Sequence, residues 1–237
     1  EKYHLLRLTL AGAEALVRWR HPQRGLLPPA DFITLFEQNG LITRLDKYVW
    51  ERCCKYIRRW IDLFPWARDF SVSVNVSRLD ICDPQLCDTL KKIIRKYELP
   101  VSALRLEITE SAYMESQQQL IDTVEALRKA GFTVEMDDFG SGYSSLNTLA
   151  NLRIDELKLD KGFLKTLSAR EDERLRVVLE ETLAMARRLR IRTVVEGVET
   201  ETGDRIVHAL GADRAQGYFY GCPMDAQALR ERFLSAG

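Results

Sequence analysis

The chain has 237 residues, and its 35 lysines and arginines balance its 35 aspartates and glutamates, giving a formal net charge of zero. At 46% hydrophobic and 30% charged residues it has the composition of an ordinary globular protein, which excludes disordered and collagen-like architectures. A chain without net charge sets up no broad field for polyanions, so DNA or RNA polymers are not expected as partners.

In chain order, a short apolar run, a polar or acidic tip and an amphipathic stretch of helical length recur. Strands are expected at Ala13 to Val17, Phe70 to Val76, Ala103 to Ile108, Phe132 to Met136, Glu156 to Leu159, Arg192 to Val195 and Ala215 to Phe219, with Leu5 to Leu10 a candidate eighth. Between the first two, a helix from Asp31 to Asn39 stops at Gly40, and Leu41, Leu45, Val49, Ile57 and Ile61 mark the apolar stripe of another. Further on, Asp83 before Pro84 reads as an N-cap, Ser116 opens a helix that Gly131 closes, and Glu171 to Arg190 forms a long charged helix. Strands joined by crossovers this long are parallel. Seven or eight such units fit a (β/α)8 barrel better than a doubly wound sheet, although the pattern alone leaves the second open. No internal repeat or flexible linker divides the chain, so residues 1–237 are expected to form one domain.

The longest stretch without acidic or basic residues, Phe139 to Leu152, is rich in glycine, serine and asparagine and cannot span a bilayer. With no signal peptide visible, direct membrane insertion is not expected. Five cysteines, two of them adjacent at Cys53 and Cys54 and none in a CxxC pair, suggest a reduced, cytoplasmic chain. His4, His21 and His208 are scattered and indicate neither a zinc site nor a Ser-His hydrolase. Trp50 and Trp60 lie on the apolar helix and are expected in the core. The run Arg187 to Arg190 closes a helix that also carries Glu173, Glu180 and Glu181, so it reads as a solvated face.

The chemistry is concentrated at the strand ends: Glu14, Asn75, Glu107 with Glu110, Asp137 with Asp138, Lys158 with Asp160, Glu196 with Glu199, and Gln216. In a parallel barrel such groups converge on one mouth. Charged strand tips are usually just solvated, but Glu14 and Glu107 sit inside apolar runs, where an uncompensated carboxylate is costly. Lys158 is one positive charge against five or six carboxylates, whereas divalent ions would neutralise them efficiently. Oxygen donors with Asn75 as the neutral member suit magnesium or manganese rather than zinc. Adjacent Asp137 and Asp138 could divide two ions, the arrangement that clamps an in-line displacement at phosphorus, so phosphoester hydrolysis follows as a hypothesis. The loop Phe139 to Ser145 is small enough to move over a site but matches neither a P-loop nor a dinucleotide fingerprint. Arg18 could meet a phosphate as a bidentate donor.

At these residues the sequence resembles the EAL-domain phosphodiesterases, which cleave the bacterial second messenger cyclic di-GMP. The naming tripeptide stands as Glu14-Ala15-Leu16, followed by Arg18-Trp19 and His21-Pro22; then come Asn75-Val76-Ser77, Glu107-Ile108-Thr109-Glu110, Asp137-Asp138-Phe139-Gly140, Lys158-Leu159-Asp160, Glu196-Gly197-Val198-Glu199 and Gln216-Gly217-Tyr218 before Pro223. The match covers nearly the whole chain in order. It implies a (β/α)8 TIM-like barrel with an antiparallel first strand and a two-metal site that hydrolyses cyclic di-GMP to linear pGpG. By the resemblance, Glu14, Asn75, Glu107 and Asp137 would hold one metal, and Asp137, Asp138 and Glu196 the other. Lys158 would orient the attacking water, and Glu196 would double as a base. Arg18, Asp160, Glu199 and Gln216 would bind substrate, and Glu110 would anchor the loop after Asp138. The resemblance further implies Mg2+ or Mn2+ as cofactors with Ca2+ inhibitory, a homodimer, and a role as output domain of a longer signalling protein with sensory or GGDEF segments upstream. That protein would be cytoplasmic or anchored with this part in the cytoplasm.

Two departures stand out. Ser141 replaces a threonine common in the family, keeping the hydroxyl, and no Gln-Pro pair occurs between Glu1 and Gly12, where members carry one that contacts substrate. Two rival readings are a catalytically weak cyclic di-GMP receptor or interaction module, which should show substitutions at the ligand positions, and a barrel enzyme of unrelated chemistry. None of the ligand positions is substituted.

Overall fold

The structure is a computed structural model that describes residues 2–4, 9–115, 117–141, 146–169 and 173–234. Its strands are β1 (Lys2–His4), β2 (Thr9–Glu14), β3 (Trp19–His21), β4 (Gly25–Leu27), β5 (Ser71–Asn75), β6 (Leu104–Thr109), β7 (Thr133–Phe139), β8 (Glu156–Leu159), β9 (Arg192–Val195) and β10 (Arg214–Gln216). Eight of them close a barrel in the order β1-β10-β9-β8-β7-β6-β5-β2, and β3 and β4 pair separately as a hairpin. From β2 round to β10 the neighbours are parallel, while β1 is antiparallel to both β2 and β10. This is the TIM-like barrel with a reversed first strand that the sequence led us to expect.

Alternation within each strand makes the two walls. Leu104, Leu106 and Ile108 of β6, Val134 and Met136 of β7, and Leu157 and Leu159 of β8 are buried in one continuous core beneath the helices. The residues between them face the lumen and are polar. The helix Ile42–Leu63 buries Trp50, Cys54, Ile57, Trp60 and Ile61, and Trp60 meets Phe70 edge-to-face with ring centroids 5.8 Å apart. Trp50 and Trp60 are thus core residues, as expected.

Several boundaries differ from the expectation. The strand read as Ala13 to Val17 ends at Glu14; the Ala15 N–H still reaches the Ser73 carbonyl at 2.9 Å, after which Leu16 and Val17 line a cleft above the barrel instead of continuing the ladder. Of the candidate eighth strand, Thr9 and Leu10 belong to β2 and residues 5–8 lie outside the described residues. The buried stripe of the long helix runs through Ile42, Asp46 and Trp50; Leu41 is exposed and Leu45 only half-buried. Asp83 accepts the Gln85 N–H at 2.8 Å in a turn, and the helix itself starts at Leu86. Ser116, expected to open a helix, lies outside the described residues.

The last strand stops at Gln216 because the next residue must come close to another loop. A Cβ on Gly217 would stand 2.2 Å from the Val198 carbonyl oxygen and 2.4 Å from its nitrogen. Only glycine allows the Val198 N–H to reach the Gln216 carbonyl at 3.1 Å while the Phe219 N–H reaches the Val198 carbonyl at 2.9 Å. We expect Gly217→Ala to lower the urea midpoint by the equivalent of about 1–3 kcal/mol, the usual cost of forcing atoms into a packed site. An unchanged midpoint would show that the two loops can part freely.

Candidate functional site

The C-terminal mouth of the barrel is organised by Lys158. Its Nζ lies 3.2 Å from Glu14 Oε2, 3.0 Å from Glu107 Oε1, 2.8 Å from Asp137 Oδ1 and 2.8 Å from Glu196 Oε1. These partners come from β2, β6, β7 and the segment after β9, so the contacts cross the lumen. Lys158 is only 1% exposed. Burial alone would lower its pKa, but the carboxylates of Glu107, Glu14, Glu196 and Asp137 outweigh that and hold it well above the ordinary lysine value. Gln216 of β10 completes the ring, donating from Nε2 to Glu14 Oε2 at 2.6 Å.

A regular strand turns successive side chains to opposite faces, so Asp137 and Asp138 could not both face the mouth of one. The ladder between β7 and β8 slips between Met136 and Phe139, and Asp138 has φ +56°. This bulge supplies the turn that brings both carboxylates forward, and aspartate is one of the few residues that tolerate it. Asp137, Asp138 and Glu196 can then each offer an oxygen within 4.8 Å of the other two. Burial, the dominant cause, lifts the Glu196 pKa to about 6, with Lys158 opposing and Asp137 reinforcing. Burial also raises Asp138, together with the neighbouring charges of Asp137 and Asp160.

The outlying site residues fall at different distances from this centre. Arg18 is exposed beyond β2, its Nη1 donating to the Val17 carbonyl at 2.8 Å, and it shares a cleft of about 550 Å³ with Glu14, Leu16 and Gln216. A second cleft, of about 570 Å³, lies on the other side of Leu16 against Asn75 and Ser77. Asp160 accepts the Gly162 N–H at 2.8 Å just past β8, and Glu199 is exposed beyond Val198. Glu110 is buried and opens the helix Glu110–Glu115; of the loop it was expected to anchor, residues 142–145 lie outside the described residues.

Asn75 is held from behind. Trp50 Nε1 donates to its carbonyl at 3.0 Å, and Ser77, two residues on, forms a capping box with Asp80. One turn before Trp50, buried Asp46 faces Asp80 and Ser77. Burial first, then hydrogen bonding to and repulsion by Asp80, push the Asp46 carboxyl up to about 8. A folded-state pKa above the unfolded one makes this group's contribution full below the unfolded value, 3.8, and lost as pH rises toward 8. Asp46→Asn, which mimics the protonated acid, should therefore gain stability relative to the parent at pH 8.5 but little at pH 4, measured by chemical denaturation. Equal effects at the two pH values would contradict this assignment.

Besides Asp46 and Asp80, four buried charges of the barrel strands escaped the sequence reading: Arg105, Glu135, Glu156 and Arg214. Each stands two residues before a residue of the mouth, at Glu107, Asp137, Lys158 and Gln216. That period of two was the available signal, masked by the denser charge at the strand tips.

The donor set at the mouth is all oxygen, and one ammonium faces four carboxylates with Asp138 beside them. Such an excess of negative charge, from buried Glu107, half-buried Glu14, Asp137 and Glu196 and exposed Asp138, fits divalent cations. Fold and site together define a (β/α)8 barrel with an acidic centre able to hold metal ions at its C-terminal mouth. The EAL domain family model matches residues 3–223, and the chain belongs to that family. It is 36% identical over 220 residues to the bifunctional diguanylate cyclase/cyclic di-GMP phosphodiesterase MucR of Pseudomonas aeruginosa, covering 93% of this chain and 32% of that protein. It is 38% identical over 223 residues to the cyclic di-GMP phosphodiesterase NbdA of the same species, covering 94% of this chain and 28% of that protein. The chain thus spans a third or less of the length of these relatives. Among solved structures, the MucR phosphodiesterase in complex with c-di-GMP superposes with a TM-score of 0.88 at 36% identity, covering 96% of this chain and 91% of that one. The EAL enzyme Bd1971, bound to cAMP and cyclic di-GMP, gives 0.90 at 28% identity over 99% of this chain and 62% of that one.

Proposed function

We propose that this chain is a metal-dependent phosphodiesterase that hydrolyses cyclic di-GMP to linear pGpG. The observation that carries the reading is the four carboxylates of Glu14, Glu107, Asp137 and Glu196 gathered round Lys158, in a family whose relatives MucR and NbdA bear cyclic di-GMP phosphodiesterase names. Glu14, Asn75, Glu107 and Asp137 would hold a first Mg2+ or Mn2+, and Asp137, Asp138 and Glu196 would hold a second. When bound, such ions neutralise the carboxylates and make water acidic enough to attack at neutral pH.

The chain's own groups do the rest. Lys158 orients the attacking water, and Glu196 accepts its proton as the new P–O bond forms. The bond from phosphorus to the 3′ oxygen breaks, and that oxygen leaves with a proton, so one water is consumed for each diester opened. Arg18 pairs with a phosphate; Asp160, Glu199 and Gln216 shape the pocket; Glu110 fixes the loop after Asp138. The two clefts on either side of Leu16 suit a ligand with two equivalent halves. In the full-length protein we read residues 1–237 as one cytoplasmic output domain, working as a homodimer behind sensory or GGDEF segments. No helix among the described residues is long and apolar enough to cross a membrane.

The test is to incubate the purified chain with cyclic di-GMP, with and without Mg2+ or Mn2+, and to identify the product. pGpG should form only with metal, EDTA should abolish it, and Ca2+ should inhibit because its longer, looser coordination misplaces the attacking water. Binding without turnover would instead mark a receptor, and full turnover in EDTA would refute the metal requirement.

Two substitutions should fail in different ways. Glu14→Ala removes a ligand, so the metal concentration needed for half-maximal activity should rise while turnover collapses. Lys158→Ala leaves the ligand residues unsubstituted, and at saturating metal, which supplies the missing positive charge, kcat should fall by about two to four powers of ten, as when a positioned electrostatic or proton-transfer group is lost. Near-normal turnover in Lys158→Ala would remove that residue from the mechanism.

A further inference from the structure

Below the ring of ligands the lumen contains a second charged layer. Arg105 of β6 pairs through Nε with Glu135 Oε1 of β7 at 2.5 Å and through Nη2 with Glu156 Oε2 of β8 at 2.7 Å. Arg214 of β10 reaches the same Glu156 oxygen through Nη1 at 2.8 Å, and Ser73 Oγ of β5 donates to Glu135 Oε2 at 2.8 Å. All four charged residues are buried. In most barrels these inner layers are filled by valine, isoleucine and leucine. Here two guanidiniums and two carboxylates replace them and balance each other.

The arrangement bears on the site above in two ways. A strand rises about 3.3 Å per residue, so each member of the quartet lies roughly 6.6 Å beneath Glu107, Asp137, Lys158 or Gln216 on the same strand. The contacts Arg105 to Glu156, Arg214 to Glu156 and Ser73 to Glu135 each skip a strand and therefore span the lumen, fixing its width where the backbone ladders fix only neighbours. The quartet also puts a polar floor under carboxylates that an apolar layer would desolvate further. We infer that Arg105, Glu135, Glu156 and Arg214 are positioning residues of the metal centre, setting the spacing of the ligands one layer above. This inference rests on the metal-dependent reading of the site.

The test replaces the quartet with apolar residues of similar length, Arg105→Met, Glu135→Met, Glu156→Met and Arg214→Met together. Exchanging a complete buried ion network for packed apolar side chains is often neutral or stabilising, so the fold can survive the loss of its charges. Mn2+ binding is measured by calorimetry without substrate, melting temperature without metal, and kcat and KM for cyclic di-GMP at saturating Mn2+. The expected result is a melting temperature close to the parent's, Mn2+ affinity weaker by about 10- to 100-fold, the range seen when residues orienting metal ligands are removed, and a fall in kcat that excess metal does not restore. A folded variant that binds Mn2+ within about twofold of the parent, below the effect expected of an orienting partner, would overturn the inference and leave the layer merely structural. If the quadruple variant does not fold, Glu156→Gln carries the test, since it keeps the shape and removes the charge shared by Arg105, Arg214 and, at 3.6 Å, the exposed Arg192. Its Mn2+ affinity should fall by at least about threefold, a milder form of the same loss, and unchanged affinity would again overturn the inference. A parent that binds Mn2+ without opening cyclic di-GMP refutes the proposed function while leaving the affinity comparison decisive; a parent that binds no Mn2+ overturns both.

Discussion

A buried ammonium survives only where anions replace the water it has lost, and Lys158 is held by four carboxylates brought from four separate parts of the chain. The dependence is mutual, because no carboxylate of the four could be buried so near the others without a cation among them. Each pair would be weak at a surface, but inside the barrel every member compensates a charge that would otherwise be stranded. The balance stays deliberately unequal: one lysine leaves an excess of negative charge, and that excess is what a divalent ion would satisfy. Barrel closure, strand register and the ligand geometry all serve to keep these five groups within contact distance.

The backbone meets this demand with a few local departures from regularity. Alternation gives each strand one lumen-facing tip, which suffices for Glu14, Asn75, Glu107 and Gln216. The bulge at Asp137 and Asp138 provides the extra carboxylate that alternation forbids. Gly197, with φ +74°, and Gly217, pressed against Val198, allow the loops after β9 and β10 to approach closely enough for Glu196 and Gln216 to join the ring. The glycines and the adjacent aspartates of the motifs are thus backbone requirements as much as chemical ones.

Much of this was legible in the sequence, for a physical reason. Parallel strands buried on both faces leave dense runs such as LRLEIT, and a carboxylate inside one, like Glu107, is too costly to be accidental. The strand tips therefore disclosed most of the mouth. The reach of the first strand did not show, because Ala15, Leu16 and Val17 are as apolar in a cleft wall as they would be in a ladder. Ile57 and Ile61 hold the buried stripe of the long helix as expected, but its first half was displaced by a residue for a related reason: Asp46 occupies the stripe, where hydropathy would not put an aspartate. The pairing of Arg105, Glu135, Glu156 and Arg214 depends on which strands face each other across the lumen, and a linear pattern does not contain that information.

The hydrogen bond from Gln216 to Glu14 joins residues separated by 202 positions, and β1 pairs with both β2 and β10 at the same seam. Such a closure, with Lys2 opposite Gln216, carries a large loop entropy and raises the contact order of the fold. Partly folded forms can assemble the consecutive strands from β5 to β9 while the seam is still open. In those forms Lys158 has Glu107 and Asp137 beside it but lacks Glu14, so its charge compensation is incomplete. The acidic centre is complete only when the seam has closed, so its assembly depends on the two ends of the barrel having met.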